Sequence, residues 1–142
     1  MKRTVISRSV GETLALAGEL GRNATGGSVF ALIGDLGSGK TIVAKGIARG
    51  MGITEEITSP TFTLLEIYAG RSALYHFDLY RIERDAELDR LCFEEYWYDE
   101  SGVSVIEWAD RALDRLPAGY VKIEISYLDE ESRSISIEHT GL

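Results

Sequence analysis

Eight consecutive residues, Gly34-Asp35-Leu36-Gly37-Ser38-Gly39-Lys40-Thr41, narrow the folds open to this chain more than any others. They have the form G-x-x-x-x-G-K-T of a phosphate-binding loop. Gly34, Gly37 and Gly39 carry no Cβ, so the backbone can curl into a concave nest of N–H groups, that of Ser38 among them. Those groups, with the positive end of a following helix, suit phosphate oxygens. Lys40 is expected to stand exposed and to reach the β- and γ-phosphates of a nucleotide. The Thr41 hydroxyl is a hard oxygen ligand for Mg2+.

Such a loop needs a strand before it and a helix after it. Ser28-Val29-Phe30-Ala31-Leu32-Ile33 is a short apolar run that reads as a buried strand. Ile42, Val43, Ile47 and Ala48 then recur at helical spacing until Gly50 and Gly52 stop the helix. A chain with this order is expected to bind a nucleoside triphosphate.

Upstream, Thr4 to Ser7 reads as a first strand. Ser9-Val10-Gly11-Glu12 has the S-x-x-E form of a capping box. The helix it starts should carry Val10, Leu14, Ala17 and Leu20 inward, with Gly21, Gly26 and Gly27 breaking it. Downstream, Pro60 holds Ser59 extended and marks a loop. Thr61 to Tyr68 and Ala73 to Tyr80 are rich in β-formers around a Gly70-Arg71-Ser72 turn, which reads as an inserted antiparallel hairpin. Glu83 to Glu100 is acidic and helical, anchored by Leu88, Leu91 and Phe93, and its acids read as a solvated face. Val103 to Glu107 is a second buried strand that ends in a carboxylate. Ala109 to Leu116 reads as a short helix, and Val121 to Tyr127 and Ser134 to Glu138 as closing strands. The expected fold is α/β, a single P-loop NTPase domain over residues 1–142 whose mixed sheet has an inserted antiparallel hairpin flanked by helices.

Charge narrows the partners. Acids outnumber bases 23 to 15, the net charge is −8, and no Lys/Arg cluster stands out. A protein that grips nucleic acid unaided normally shows a basic face, so tight direct binding to RNA or DNA is not expected. No apolar stretch is long enough to cross a bilayer, and the first residues lead into no signal-peptide core. Cys92 is the sole cysteine, which excludes an internal disulfide and fits a reducing cytoplasm.

A P-loop protein needs a second acid at the end of a neighbouring strand to hold Mg2+ directly or through water, and Glu107 is the candidate. The next residue, Trp108, can do no base chemistry and reads as a core or rim aromatic. Asp78 is the candidate for orienting water, because it shares a strand face with His76 and Tyr80. Thr61, just after Pro60, can reach Mg2+ or the γ-phosphate as a switch threonine does. His76 reads as a packed or hydrogen-bonded histidine, since one His without neighbouring Cys or His makes no metal site.

Four motifs carry a family resemblance: Gly34 to Thr41, Ser59-Pro60-Thr61-Phe62-Thr63-Leu64, His76-Phe77-Asp78-Leu79-Tyr80-Arg81 and Val105-Ile106-Glu107-Trp108-Ala109. In this order and spacing they resemble TsaE, the bacterial ATPase required to make N6-threonylcarbamoyladenosine in tRNA. The resemblance implies a small α/β P-loop fold with ATP and Mg2+ as ligands. It implies Thr41 and Glu107 at the metal, a functional Asp78, and Thr61 in a switch-like loop. It further implies a complex with the TsaD and TsaB proteins, in which ATP hydrolysis resets the assembly between turnovers. Ile42 stands where the family usually has a second threonine; its N–H can still serve the α-phosphate, but a hydroxyl is missing. Alignment at the chain ends assigns Ser9 and Arg133 to the adenine side.

Other classes compete with an ATPase subunit. A GTPase switch usually selects guanine with an N-K-x-D loop, and the only Asn is Asn23, far upstream. A small-molecule kinase needs a basic lid, and Arg81, Arg84 and Arg90 are surrounded by acids. A nucleotide-gated binding module with negligible hydrolysis differs from the ATPase only in the missing base after Glu107.

Overall fold

Short apolar runs that alternate in side-chain direction build a sheet whose two faces both need cover. The computed structural model describes residues 2–141. Its strands are β1 (Lys2–Ser7), β2 (Val29–Ile33), β3 (Leu65–Ala69), β4 (Ala73–Asp78), β5 (Gly102–Glu107), β6 (Val121–Tyr127) and β7 (Arg133–His139). They form one seven-stranded sheet in the order β1-β7-β6-β2-β5-β4-β3. The middle strands β6, β2, β5 and β4 run parallel. β7, β1 and β3 join antiparallel, so the expected mixed sheet and its β3–β4 hairpin are both present.

The helices are α1 (Val10–Asn23), α2 (Lys40–Gly50), α3 (Asp85–Leu91) and α4 (Glu94–Trp97). α1 and α2 cover one face over Phe30, Leu32, Leu74, Val105, Ile123 and Ile137. On the other face, α3, α4 and the segment after β5 pack over Val29, Ala31, Phe77 and Ile106. Phe77, Leu88 and Trp97 are wholly buried there, each contributing about 1.5–3 kcal/mol of transfer free energy before entropy is counted. Phe77 meets the Phe93 ring edge-on at 5.0 Å between centroids.

The Ser9 cap forms as read. Its Oγ accepts from the Glu12 N–H at 3.1 Å, and the Glu12 carboxylate accepts in return from the Arg8 N–H at 2.8 Å. Several local readings need correction. Leu91, read as an anchor, is exposed. Val10 is exposed; Ala17 and the half-buried Leu20 face inward as expected, joined by Thr13, Gly18 and Gly21. Gly21 does not break the helix, which runs on to Asn23; it stands there because a Cβ would collide with the Ile47 carbonyl of α2. Gly46 and Gly50 of α2 meet α1 backbone in the same way, so these glycines permit close helix approach. Ala109 to Leu116 forms two 3-10 turns, Ala109–Arg111 and Leu113–Arg115, in place of a helix.

Arg71 in the β3–β4 turn fastens the hairpin to the helix layer. Its Nη2 donates to Gly21 O at 2.8 Å and Ala24 O at 2.6 Å, and its Nη1 to Gly50 O at 3.2 Å. These carbonyls lie at the C-terminal ends of α1 and α2, where a helix offers acceptors beyond its own ladder. The hairpin whose second strand ends in Asp78 is thereby fixed to the P-loop helix.

Candidate active site

The C-terminal ends of parallel strands are where an α/β sheet opens a crevice. Register places Leu32 of β2 opposite Glu107 of β5, and Glu107 opposite Asp78 of β4. The Gly34–Gly39 turn leaves β2 one residue further on, so the loop and both carboxylates meet at one edge. They line a cleft of about 420 Å³ with Thr41, Ile42, Ser59, Thr61, Tyr80, Trp108 and Arg133. A larger depression, about 560 Å³, lies beside Lys45, Arg49 and the following turn and contains none of the expected site residues.

The loop has the backbone its glycines allow. Gly37 and Gly39 have φ of 78° and 109°, left-handed values that favour glycine. A Cβ on Gly37 would meet nothing within 4 Å, so its left-handed backbone and not crowding is what favours glycine there. Lys40, expected to be exposed, is 5% exposed. Its Nζ donates to Gly34 O at 2.6 Å and Asp35 O at 2.8 Å, and lies 4.0 Å from the centre of the Trp108 ring. Burial lowers its pKa from the ordinary lysine value, against the opposing fields of Glu107, Asp78, Asp110 and Asp35. It is a cation held close to the loop, with acids on several sides.

Thr41 Oγ1 donates to Glu107 Oε1 at 2.9 Å. That pair presents two hard oxygens, the donor set Mg2+ favours. Among the described residues no group of three or more His, Cys, Asp or Glu could hold an ion by itself. Two protein oxygens fit a metal whose other ligands come from phosphates and water. The remaining oxygen of Glu107, Oε2, lies 2.6 Å from His76 Nε2.

Asp78 is 2% exposed and fully engaged. Its Oδ2 accepts from Ser59 Oγ at 2.6 Å and Thr61 Oγ1 at 3.1 Å, and its Oδ1 from the Tyr80 N–H at 2.9 Å. Thr61 therefore reaches Asp78. Next to it Phe62 is 82% exposed, with the Arg81 guanidinium 5.3 Å from its ring centre.

Ser9 and Arg133 come together despite lying at opposite ends of the chain. Both line a small recess that shares Ser38, Gly39 and Ile42 with the loop. Arg133 Nε donates to Ser38 O at 2.9 Å. Sequence reasoning did not assign Ser59 to Asp78, His76 to Glu107 or Trp108 to Lys40. The alternation of His76 and Asp78 along β4 was the one available signal, and it lacked the register to β5. The Trp108 backbone turns left-handed at φ 59°, and its ring lies tilted at 48° to that of Tyr80, 4.9 Å between centroids.

The family model described as threonylcarbamoyl adenosine biosynthesis protein TsaE matches residues 7–135. The chain belongs to the TsaE family. Proteins named tRNA threonylcarbamoyladenosine biosynthesis protein TsaE from Treponema pallidum and Bacillus subtilis are 43% and 40% identical to it. These alignments cover 93% and 92% of this chain, and 97% and 81% of the relatives. The crystal structure of Bacillus subtilis YdiB superposes with a TM-score of 0.83 at 33% identity, over 99% of this chain and 87% of that one. The TsaE likeness thus extends from sequence to the whole P-loop NTPase fold. The matched span of residues 7–135 contains the cleft described above.

Proposed function

We propose that this chain is a Mg2+-dependent ATPase that serves tRNA N6-threonylcarbamoyladenosine synthesis by acting on a TsaD–TsaB pair in the cytoplasm. The observation that carries the reading is the meeting of an open P-loop, the Thr41–Glu107 oxygen pair and Asp78 at one sheet edge. Family membership supplies the pathway. The lone Cys92 agrees with a reducing compartment, and no described helix is long and apolar enough to cross a membrane.

In this reading the backbone N–H groups of Gly37, Ser38, Gly39, Thr41 and Ile42 cradle the phosphates, and Lys40 exchanges its carbonyl partners for β- and γ-phosphate oxygens. Thr41 and Glu107 hold Mg2+ directly or through water. Bound Mg2+ would neutralise charge on the phosphate oxygens as the terminal bond breaks. Asp78 orients the attacking water once Ser59 and Thr61 release it, with Thr61 turning toward the γ-phosphate. Ser9 and Arg133 flank the adenine side. The net charge of −8 argues that tRNA is met through the partners.

One observation favours a second reading, a nucleotide-gated binding module with negligible hydrolysis: both oxygens of Asp78 are already occupied. ATP turnover measured with and without TsaD–TsaB separates the two, with Lys40→Ala as the control. The ATPase reading expects stimulated turnover in the parent and a loss of about a thousandfold in Lys40→Ala. A Lys40→Ala protein as active as the parent would remove the P-loop from the chemistry.

A further inference from the structure

We infer that His76 is a positioning residue that keeps Glu107 aimed at Thr41 and the metal position, and prevents its collapse onto Lys40. This rests on the ATPase reading above and assigns a role to a side chain that reading leaves idle. His76 is 0% exposed in mid-strand, where an apolar residue would pack at lower cost. Leu74, two residues earlier on the same face, belongs to the apolar core. The imidazole is spent on a single bond: Nε2 lies 2.6 Å from Glu107 Oε2, while Nδ1 is buried without a hydrogen-bond partner.

The metal role read for Glu107 gives that bond its direction. An ionised carboxylate only accepts, so Nε2 carries the hydrogen and donates. Of the two neutral tautomers, this one leaves a bare lone pair at Nδ1 and no buried N–H without an acceptor. Glu107 is then held from both sides, Oε2 by His76 on β4 and Oε1 by the Thr41 hydroxyl at 2.9 Å on α2. Each partner sits on regular structure, and the β4–β5 register brings His76 opposite Val105, two residues before Glu107.

Glu107 also has a competing partner in Lys40. Glu107 is the foremost of the acids whose field acts on Lys40. Yet among the described ion pairs none joins Lys40 to a carboxylate, and its Nζ bonds to Gly34 O and Asp35 O. Without the His76 donor, Oε2 would be a buried carboxylate oxygen lacking its partner, and the nearby ammonium is the strongest donor to replace it. Such a pair would turn Glu107 from the metal position and hold Lys40 away from phosphate. A hydrogen-bond partner behind a metal-ligating side chain commonly accounts for about 10–100-fold in metal affinity.

The test is calorimetric titration of full-length protein with the non-hydrolysable analogue adenylyl imidodiphosphate across a series of Mg2+ concentrations. Parent, His76→Leu, His76→Asn and His76→Gln are compared, with a thermal melt for each. The side-chain amide of Gln reaches about as far as Nε2, whereas that of Asn falls short. The Mg2+ concentration giving half of the gain in nucleotide affinity should rise about tenfold in the Leu and Asn variants and stay near the parent in Gln. Should His76→Leu fail to fold, the Asn–Gln contrast still decides. An unchanged midpoint in folded Leu or Asn variants would overturn the inference, as would Gln shifted as far as Leu, which reduces His76 to ring packing. A parent whose nucleotide affinity ignores Mg2+ would instead bring down the metal reading beneath it.

Discussion

Glu107 and Asp78 are neighbours in one row of the sheet and are equally buried, each 2% exposed, yet they are held in opposite ways. Glu107 is gripped by Thr41 on a helix and His76 on a strand, elements tied into the core. Asp78 is gripped by Ser59 and Thr61, which belong to the loop between α2 and β3, and by the adjacent Tyr80 N–H. The first carboxylate is preorganised in the state described here. The second is latched by hydroxyls on either side of Pro60, on irregular backbone where Phe62 stands open to solvent. Equal burial therefore hides a difference in support: one carboxylate is held from a helix and a strand, the other from a loop.

The sharpest way to break this contrast is to neutralise the fixed side. Glu107→Gln keeps the shape but removes the charge facing Thr41. Mg2+-dependent turnover should fall by more than about a hundredfold, with a smaller effect on nucleotide affinity. Steady-state rates across a Mg2+ series check it, and an unchanged Mg2+ dependence would move the metal role elsewhere, Asp78 first. The gated side predicts a gain. Ser59→Ala removes the 2.6 Å latch on Asp78, so turnover without partners should rise by about fivefold, the worth of roughly 1 kcal/mol, and partner stimulation should shrink. A fall in unassisted turnover would make Ser59 part of the machinery.

The loop, strand and helix around Lys40 were legible in sequence because the glycines and the apolar runs they separate act locally. The Ser9 cap and the β3–β4 hairpin were legible for the same reason, and so were Glu107 and Asp78 as strand-end acids. What escaped depends on partners distant in the chain. Gly21 reads as a helix breaker until Ile47 is known to lie against it. The burial of Lys40 depends on Trp108, whose left-handed backbone also precedes the 3-10 turns that replace the expected helix. Leu91 was read as an anchor and is exposed, because the chain turns left-handed at Cys92 with φ 55° and splits the acidic helix in two. The Ser59–Asp78 pair depends on how the loop between α2 and β3 folds back over the end of β4, which composition does not encode.

The smallest expected effect lies on the opposite face of β4 and leaves both carboxylates untouched. Tyr75 donates to Asp99 Oδ2 at 2.6 Å, and this bond, then burial, pushes its hydroxyl from 10.0 up to about 12. A folded-state value raised above the unfolded one contributes stability that is complete below about pH 10 and disappears as pH climbs through about 12. Urea melts across that window should show this loss in the parent and not in Tyr75→Phe, with nucleotide turnover at neutral pH unchanged. A matching loss in the Phe variant would assign it to another group.

The division between a fixed metal arm and a gated water arm is tested most directly by titrating TsaD–TsaB into the parent and into Asp78→Ala while following ATP turnover. Orienting a water and taking its proton is worth about a hundredfold or more when the carboxylate is correctly placed. Asp78→Ala should bind nucleotide almost as the parent does, turn over slowly alone, and lose about a hundredfold of the stimulated rate. Equal stimulation of the two proteins would contradict the gate and leave Asp78 as a structural carboxylate that anchors the Ser59–Thr61 loop.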